Sequence, residues 1–106
     1  MESRIECGIL GATGMVGQHF IRFLEGHPEF KVTWLGASDR STTKKYREAA
    51  KWHLGGATPV YVADQVINEC RPGNAPRLLF SAMDASVATE IEQAFAQAGH
   101  VVVPNA

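Results

Sequence analysis

Seven residues, Gly11-Ala12-Thr13-Gly14-Met15-Val16-Gly17, stand between a short apolar run and a helical stripe, and they narrow the possible folds more than any other stretch. The run before them, Ile5 to Leu10, is bounded by glycine and lacks strict alternation. Strands covered on both faces in a parallel sheet have that character. After the loop, Val16, Phe20, Phe23 and Leu24 fall at i, i+4, i+7 and i+8 between Met15 and Glu25, one stripe of an amphipathic helix that Gly26 and Pro28 then end. A strand, a GxxGxxG loop and a helix in that order open a βαβ unit of the dinucleotide-binding kind.

The loop has a physical rationale. A helix N-terminus carries unpaired amide donors and a partial positive charge, so a pyrophosphate settles there when no side chain blocks its approach. By that logic Gly11 makes the tight turn, Gly14 lets the backbone reach the phosphates, and Gly17 lets the helix pack closely on the strand. The amides of Thr13, Gly14, Met15 and Val16 are the expected donors, and the Thr13 hydroxyl can add another. The loop lacks the GK[ST] ending of a triphosphate-binding P-loop.

Further along, Lys31 to Ala37 and Leu78 to Ser81 read as strands, Pro59 to Ala63 as a weaker one, and Lys44 to Ala50 as a short helix. After Asp84, a candidate N-cap, Val87, Ile91, Ala94, Phe95 and Ala98 form a second stripe, closed by Gly99 and followed by a strand over His100 to Val103. Strands alternating with helices at these lengths predict an α/β fold: a Rossmann-type parallel sheet with helices on both faces, expected to be an incomplete domain. With 106 residues there is room for one domain.

An NAD site places an acidic residue about 20 positions past the loop to hold the ribose 2′-hydroxyl. Asp39 can take that role, but Ser38, Arg40 and Ser41 around it offer hydroxyls and a planar cation suited to a 2′-phosphate, so NADP is the expected cofactor. The basic stretch from Arg40 to Lys51 holds five Lys or Arg, with Tyr46 as its one interleaved tyrosine, and reads as a solvated helix face. Ten Lys and Arg against eleven Asp and Glu leave a net charge of −1, which favours neither nucleic acid nor an anionic membrane. No stretch approaches the roughly 18 apolar residues of a membrane helix. Cys7 and Cys70 are too few and too far apart for a disulfide scaffold or a CxxC site, and a cytoplasmic setting with reduced thiols is expected. His19, His27, His53 and His100 make no HxxxH metal pair.

The loop Gly11 to Gln18, the stretch Gly36 to Ser41 with Lys44-Lys45-Tyr46 and Trp52, the block Phe80 to Ala88, and Ala98 to Ala106 together resemble aspartate-semialdehyde dehydrogenases of the fungal and archaeal branch. The resemblance implies an N-terminal NADP-binding domain. It also implies that Ser81 and Ala82 lie along the cofactor and that Asn105 approaches its nicotinamide end. In that family the full enzyme reversibly reduces β-aspartyl phosphate to aspartate semialdehyde with NADPH, on the route to threonine, methionine and lysine. A second domain carries its cysteine nucleophile, its histidine acid/base and the contacts of the homo-oligomer. None of those groups matches a residue here, so residues 1–106 are expected to be the cofactor portion, inactive alone, with no catalytic residue and no metal. Two departures stand out: Thr42-Thr43 where the family usually has Ala-Gly, and Pro104 where it usually has Ser. The alternatives are a free-standing NADP-sensing module and the cofactor domain of a malonyl-CoA reductase or a short-chain-type reductase.

Overall fold

The computed structural model describes residues 3–38 and 40–104. Its elements are β1 (Ile5–Leu10), α1 (Met15–Leu24), β2 (Phe30–Ala37), α2 (Tyr46–Ala49), α3 (Val60–Ala63), β3 (Asn68–Glu69), β4 (Leu78–Ser81), α4 (Ala85–Gln97) and β5 (Val101–Pro104). The strands form one sheet in the order β3-β2-β1-β4-β5, every neighbouring pair parallel. From β1 the chain moves through α1 to one side of the sheet, and from β4 it moves through α4 to the other. The direction of winding therefore reverses between β1 and β4, and in open α/β sheets ligands bind beyond the carboxyl ends of the strands at such a point.

Helices cover both faces. On one face Cys7 and Ile9 of β1, Val32 and Leu35 of β2, and Ile21 and Leu24 of α1 share a buried cluster with Tyr46, Val62 and Ile67. On the other, Leu10, Trp34, Leu79 and Phe95 form a smaller one. A bulge makes this division possible: Cys7 pairs with Val32 but Gly8 pairs with Trp34, so Thr33 is the extra residue and Trp34 turns to the α4 side. The indole lies across two glycines. A Cβ on Gly8 would stand 2.9 Å, and one on Gly36 2.8 Å, from its ring carbons. Phe95 meets the ring edge to face at 6.1 Å.

Three sequence expectations change. The buried side of α1 is Gly17, Gln18, Ile21 and Leu24, whereas Val16 and Phe23 of the anticipated stripe are exposed, Phe23 at 73%. Residues 60–63, anticipated as a strand for their β-branched content, form a helical turn in which the amides of Val62 and Ala63 return to the Pro59 carbonyl. That turn buries Val62 and brings the Tyr61 hydroxyl to the carbonyl of Ile21 at 2.5 Å, so tertiary contact overrides propensity. On α4 only Phe95 is fully buried, and Val87 is about half exposed. The two-residue β3 was not anticipated. None of the described helices is long and apolar enough to cross a membrane.

Thr43 is the one non-glycine with positive φ among the described residues, at 73°. Two antiparallel bonds hold it there, Thr43 N–H to the Ile67 carbonyl and Ile67 N–H to the Lys44 carbonyl, each 2.9 Å. A β-branched residue is strained in that region. Thr43→Gly relieves the strain but loosens the unfolded chain, and the expected net result is a gain of about 0.5–1 kcal/mol in urea unfolding. A loss of stability would show that the threonine side chain contributes more than its backbone costs.

Candidate dinucleotide site at the carboxyl ends of the strands

The loop after β1 is fixed from several sides. The amides of Gly11 and Ala12 both donate to the Gly36 carbonyl of β2, at 2.9 and 3.0 Å, and the Ala82 amide donates to the Leu10 carbonyl at 2.8 Å. Gly11 turns the chain at φ +78°, where a side chain would also press on the Ala82 backbone at 3.0 Å. Gly17 is a matter of space: a Cβ there would stand 2.4 Å from the Gly11 carbonyl oxygen and 2.8 Å from Ala12. Gly14, the N-cap of α1, differs from both, because the nearest atom to an added Cβ is 3.9 Å away. Nothing among the described residues requires a glycine at that position, and the space in front of it is open.

The first turn of α1 carries no acidic residue, and the Gly14 N-cap has no side chain to cap it. Among the described residues no backbone acceptor meets the amides of Thr13, Met15, Val16 or Gly17, and the Gly14 amide makes only a 3.4 Å contact with the Gly11 carbonyl. Unmatched donors at the positive end of a helix are what an anion needs.

Of the residues that carry these donors, Thr13 and Gly14 border a cavity of about 530 Å³. Its walls come from the loop at Gly11, Thr13 and Gly14, from Ala37 and Ser38 at the end of β2, from Glu69 to Arg71 at the end of β3, and from Ala82 to Asp84 after β4. Val87 and Ile91 of α4 complete it. Of the residues anticipated from sequence, Gly11, Thr13, Gly14, Ser38 and Ala82 therefore meet on one cavity. Met15 and Val16 are exposed in the adjoining helical turn, and Gly17 is buried beneath the loop. Arg40 is exposed and Ser41 half-buried in a turn whose Ser41 amide and Thr42 hydroxyl both donate to the Ser38 carbonyl, at 2.9 and 3.3 Å. Ser81 is buried at the end of β4, and its hydroxyl has no partner among the described residues. Asp39 and Asn105 lie outside the described residues.

Sequence reasoning missed Glu69, Cys70 and Arg71, because a two-residue strand leaves no periodic signal. Met83 and Asp84 were within reach of the rule that strand carboxyl ends bind ligands. Val87 and Ile91 were anticipated as core, but the start of α4 overhangs the cavity. Glu69 and Arg71 form an ion pair on its rim. Cys70 is half-buried on the wall, with no histidine among the lining residues. Cys7 is sealed in β1, where burial pushes its thiol up to about 11. His27 uses its Nδ1 to accept the amides of Glu29 and Phe30, and the His100 Nδ1 lies 2.7 Å from the Pro76 carbonyl. Among the described residues no group of three His, Cys, Asp or Glu is placed to hold a metal.

Residues 6–106 match the family described as semialdehyde dehydrogenase, NAD binding domain. Aspartate-semialdehyde dehydrogenase of Candida albicans is 49% identical over 104 residues, covering 95% of this chain and 28% of that protein. That of Methanothermobacter thermautotrophicus is 45% identical over 104 residues, covering 96% and 30%. The crystal structure of the Candida albicans enzyme with NADP superimposes with a TM-score of 0.92 at 47% identity, over 98% of this chain and 30% of that one. The chain thus spans under a third of the length of the relatives it matches.

The two helix-start glycines should separate on substitution. Gly17→Ala drives a methyl into backbone that cannot retreat and is expected to lower stability by about 3 kcal/mol, whereas Gly14→Ala costs at most about 1 kcal/mol as a poorer N-cap. Equal losses in denaturant unfolding would contradict this reading of the loop. The cysteines should separate too. At pH 8 a thiol of pKa about 11 is roughly one part in a thousand thiolate. Mass spectrometry after iodoacetamide should find Cys70 labelled and Cys7 labelled only on unfolding.

Proposed function

Since the chain belongs to the semialdehyde dehydrogenase family through its NAD-binding domain, we propose that it is the cofactor-binding part of an NADP-dependent aspartate-semialdehyde dehydrogenase. One observation carries the reading furthest: Gly14 opens on a cavity at the switch point of the sheet, beside amides that meet no backbone acceptor among the described residues. A dinucleotide fits that chemistry, with its pyrophosphate on the loop and first helical turn at Thr13, Gly14, Met15 and Val16 and its 2′-phosphate on Ser38, Arg40 and Ser41. The Ser81 hydroxyl, which has no partner among the described residues, supports a polar group passing the end of β4. In this reading Ala82 lies along the cofactor and Asn105 serves its nicotinamide end.

When bound, NADPH supplies a hydride to an acyl carbon, and the residues of this chain hold the dinucleotide in register and bury its phosphates against the loop. The remaining groups belong to the rest of a full-length polypeptide: the cysteine that carries the acyl group, the histidine that moves the proton, and the surface through which copies associate. Cys7 is unsuited to the first task because it is sealed and its thiol is pushed up. Cys70 shares the cavity wall with no histidine among the described lining residues. The substrate is β-aspartyl phosphate, and the setting is the cytoplasm, where both thiols stay reduced.

Calorimetric titration tests the assignment. NADP should bind more tightly than NAD. Arg40→Ala should weaken NADP by roughly 10- to 100-fold, the loss of one charged phosphate contact, with little effect on NAD. Gly14→Ala should weaken both in a protein that still folds. NADP affinity unchanged in Arg40→Ala would overturn the 2′-phosphate assignment, and unchanged in Gly14→Ala it would overturn the pyrophosphate site.

A further inference from the structure

Two side chains that touch no part of the cavity hold the loop that borders it. Tyr46, the first residue of α2, is fully buried and donates its hydroxyl to the Ala12 carbonyl at 2.7 Å. Gln18 on α1 is equally buried. Its Nε2 donates to the carbonyls of Thr13 at 3.2 Å and Lys51 at 2.8 Å, while its Oε1 accepts the His53 amide at 2.8 Å. Both belong to the α1 side of the sheet, where Tyr46 and Ala12 share one buried cluster.

The consequence follows from the planarity of the peptide. In a trans unit the carbonyl and the next N–H point in opposite directions. The Tyr46 hydroxyl draws the Ala12 oxygen into the core, so the Thr13 N–H of the same unit faces away from the core, on the side where Thr13 lines the cavity. We propose that Tyr46 is a positioning residue for anion binding: its hydroxyl keeps the Ala12–Thr13 peptide turned so that an amide rather than a carbonyl oxygen faces the phosphates. Gln18 braces the next unit, tying the Thr13 oxygen to the segment over residues 51–53, while the Gly14 N–H of that unit contacts the Gly11 carbonyl at 3.4 Å. Burial pushes the Tyr46 phenol well above its ordinary range, which keeps it a donor. Without that hydroxyl the Ala12 carbonyl is a buried acceptor with no partner, and a peptide flip that exposes it to the cavity becomes the alternative.

The inference rests on the NADP reading, and it adds a link between two parts of the site. Tyr46 lies five residues past Ser41, on the segment that leaves the turn carrying Arg40 and Ser41, so the segment next to the proposed 2′-phosphate contacts also orients the pyrophosphate loop.

The test is selective loss. In the full-length polypeptide, Tyr46→Phe should weaken NADP and ADP each by about tenfold, the worth of one hydrogen bond, and leave 2′-AMP within twofold, since 2′-AMP has no pyrophosphate. Tyr61→Phe removes a comparable hydroxyl, bonded to the Ile21 carbonyl far along α1, and should leave all three affinities unchanged. Equal weakening of the three ligands in Tyr46→Phe, or no weakening, would overturn the proposal. In the unaltered protein, ADP should move the Thr13 amide proton downfield in an NMR titration, and an unmoved Thr13 would overturn it without any variant. Failure of the NADP reading itself would be distinct: the unaltered protein would then bind none of the three, and the positioning role would fall with it.

Discussion

The approach of α1 to the loop before it sets the geometry on which the rest of the molecule is built. At Gly17 the helix comes so close to the Gly11 carbonyl that a single methyl group would not fit. That proximity goes with the turn at Gly11, which sends the chain from the end of β1 straight into a helix whose N-cap, Gly14, has no side chain to cap its first amides. Among the described residues these donors meet no backbone acceptor beyond the long Gly14–Gly11 contact, and a site for an anion is the consequence.

The same closeness explains which strands are central. β1 sits between β2 and β4, so the loop leaving it is flanked by two strand ends, and both are tied to it by backbone bonds: Gly36 accepts from Gly11 and Ala12, and Leu10 accepts from Ala82. The walls of the cavity are therefore joined to its floor. On the far side of the sheet the fit of Trp34 over Gly8 and Gly36 serves an equivalent purpose, since it lets the α4 face close over strands that have glycine where they need clearance.

Much of this was legible in the residues. β1 and β4 fall where the apolar runs place them, α4 runs from its Asp84 cap to the glycine that ends it, and the three loop glycines divide into a turn, a close contact and an open approach. Legibility failed where partners distant in sequence decide the outcome. Residues 60–63 look like a strand by composition, but Tyr61 and Val62 find a carbonyl and a core pocket only as a helical turn. Glu69, Cys70 and Arg71 reach the cavity because β3 pairs with the last two residues of β2, Gly36 and Ala37, and that pairing has no local signature.

The most instructive failure concerns the rotation of α1. Hydrophobic periodicity places Val16 and Phe23 inward, yet the helix turns Gln18 to the core and leaves Phe23 outside. Burying an amide in place of an aromatic ring looks unfavourable until the backbone is considered. The carbonyls of Thr13 and Lys51 and the amide of His53 all converge on position 18, and a phenylalanine there would strand three polar groups at about 1–3 kcal/mol each. The gain from burying one more aromatic side chain, about 1.5–3 kcal/mol, does not offset that. The demand of a tight loop for hydrogen-bond partners, rather than the apolar pattern of the helix beside it, fixes which face of α1 meets the sheet.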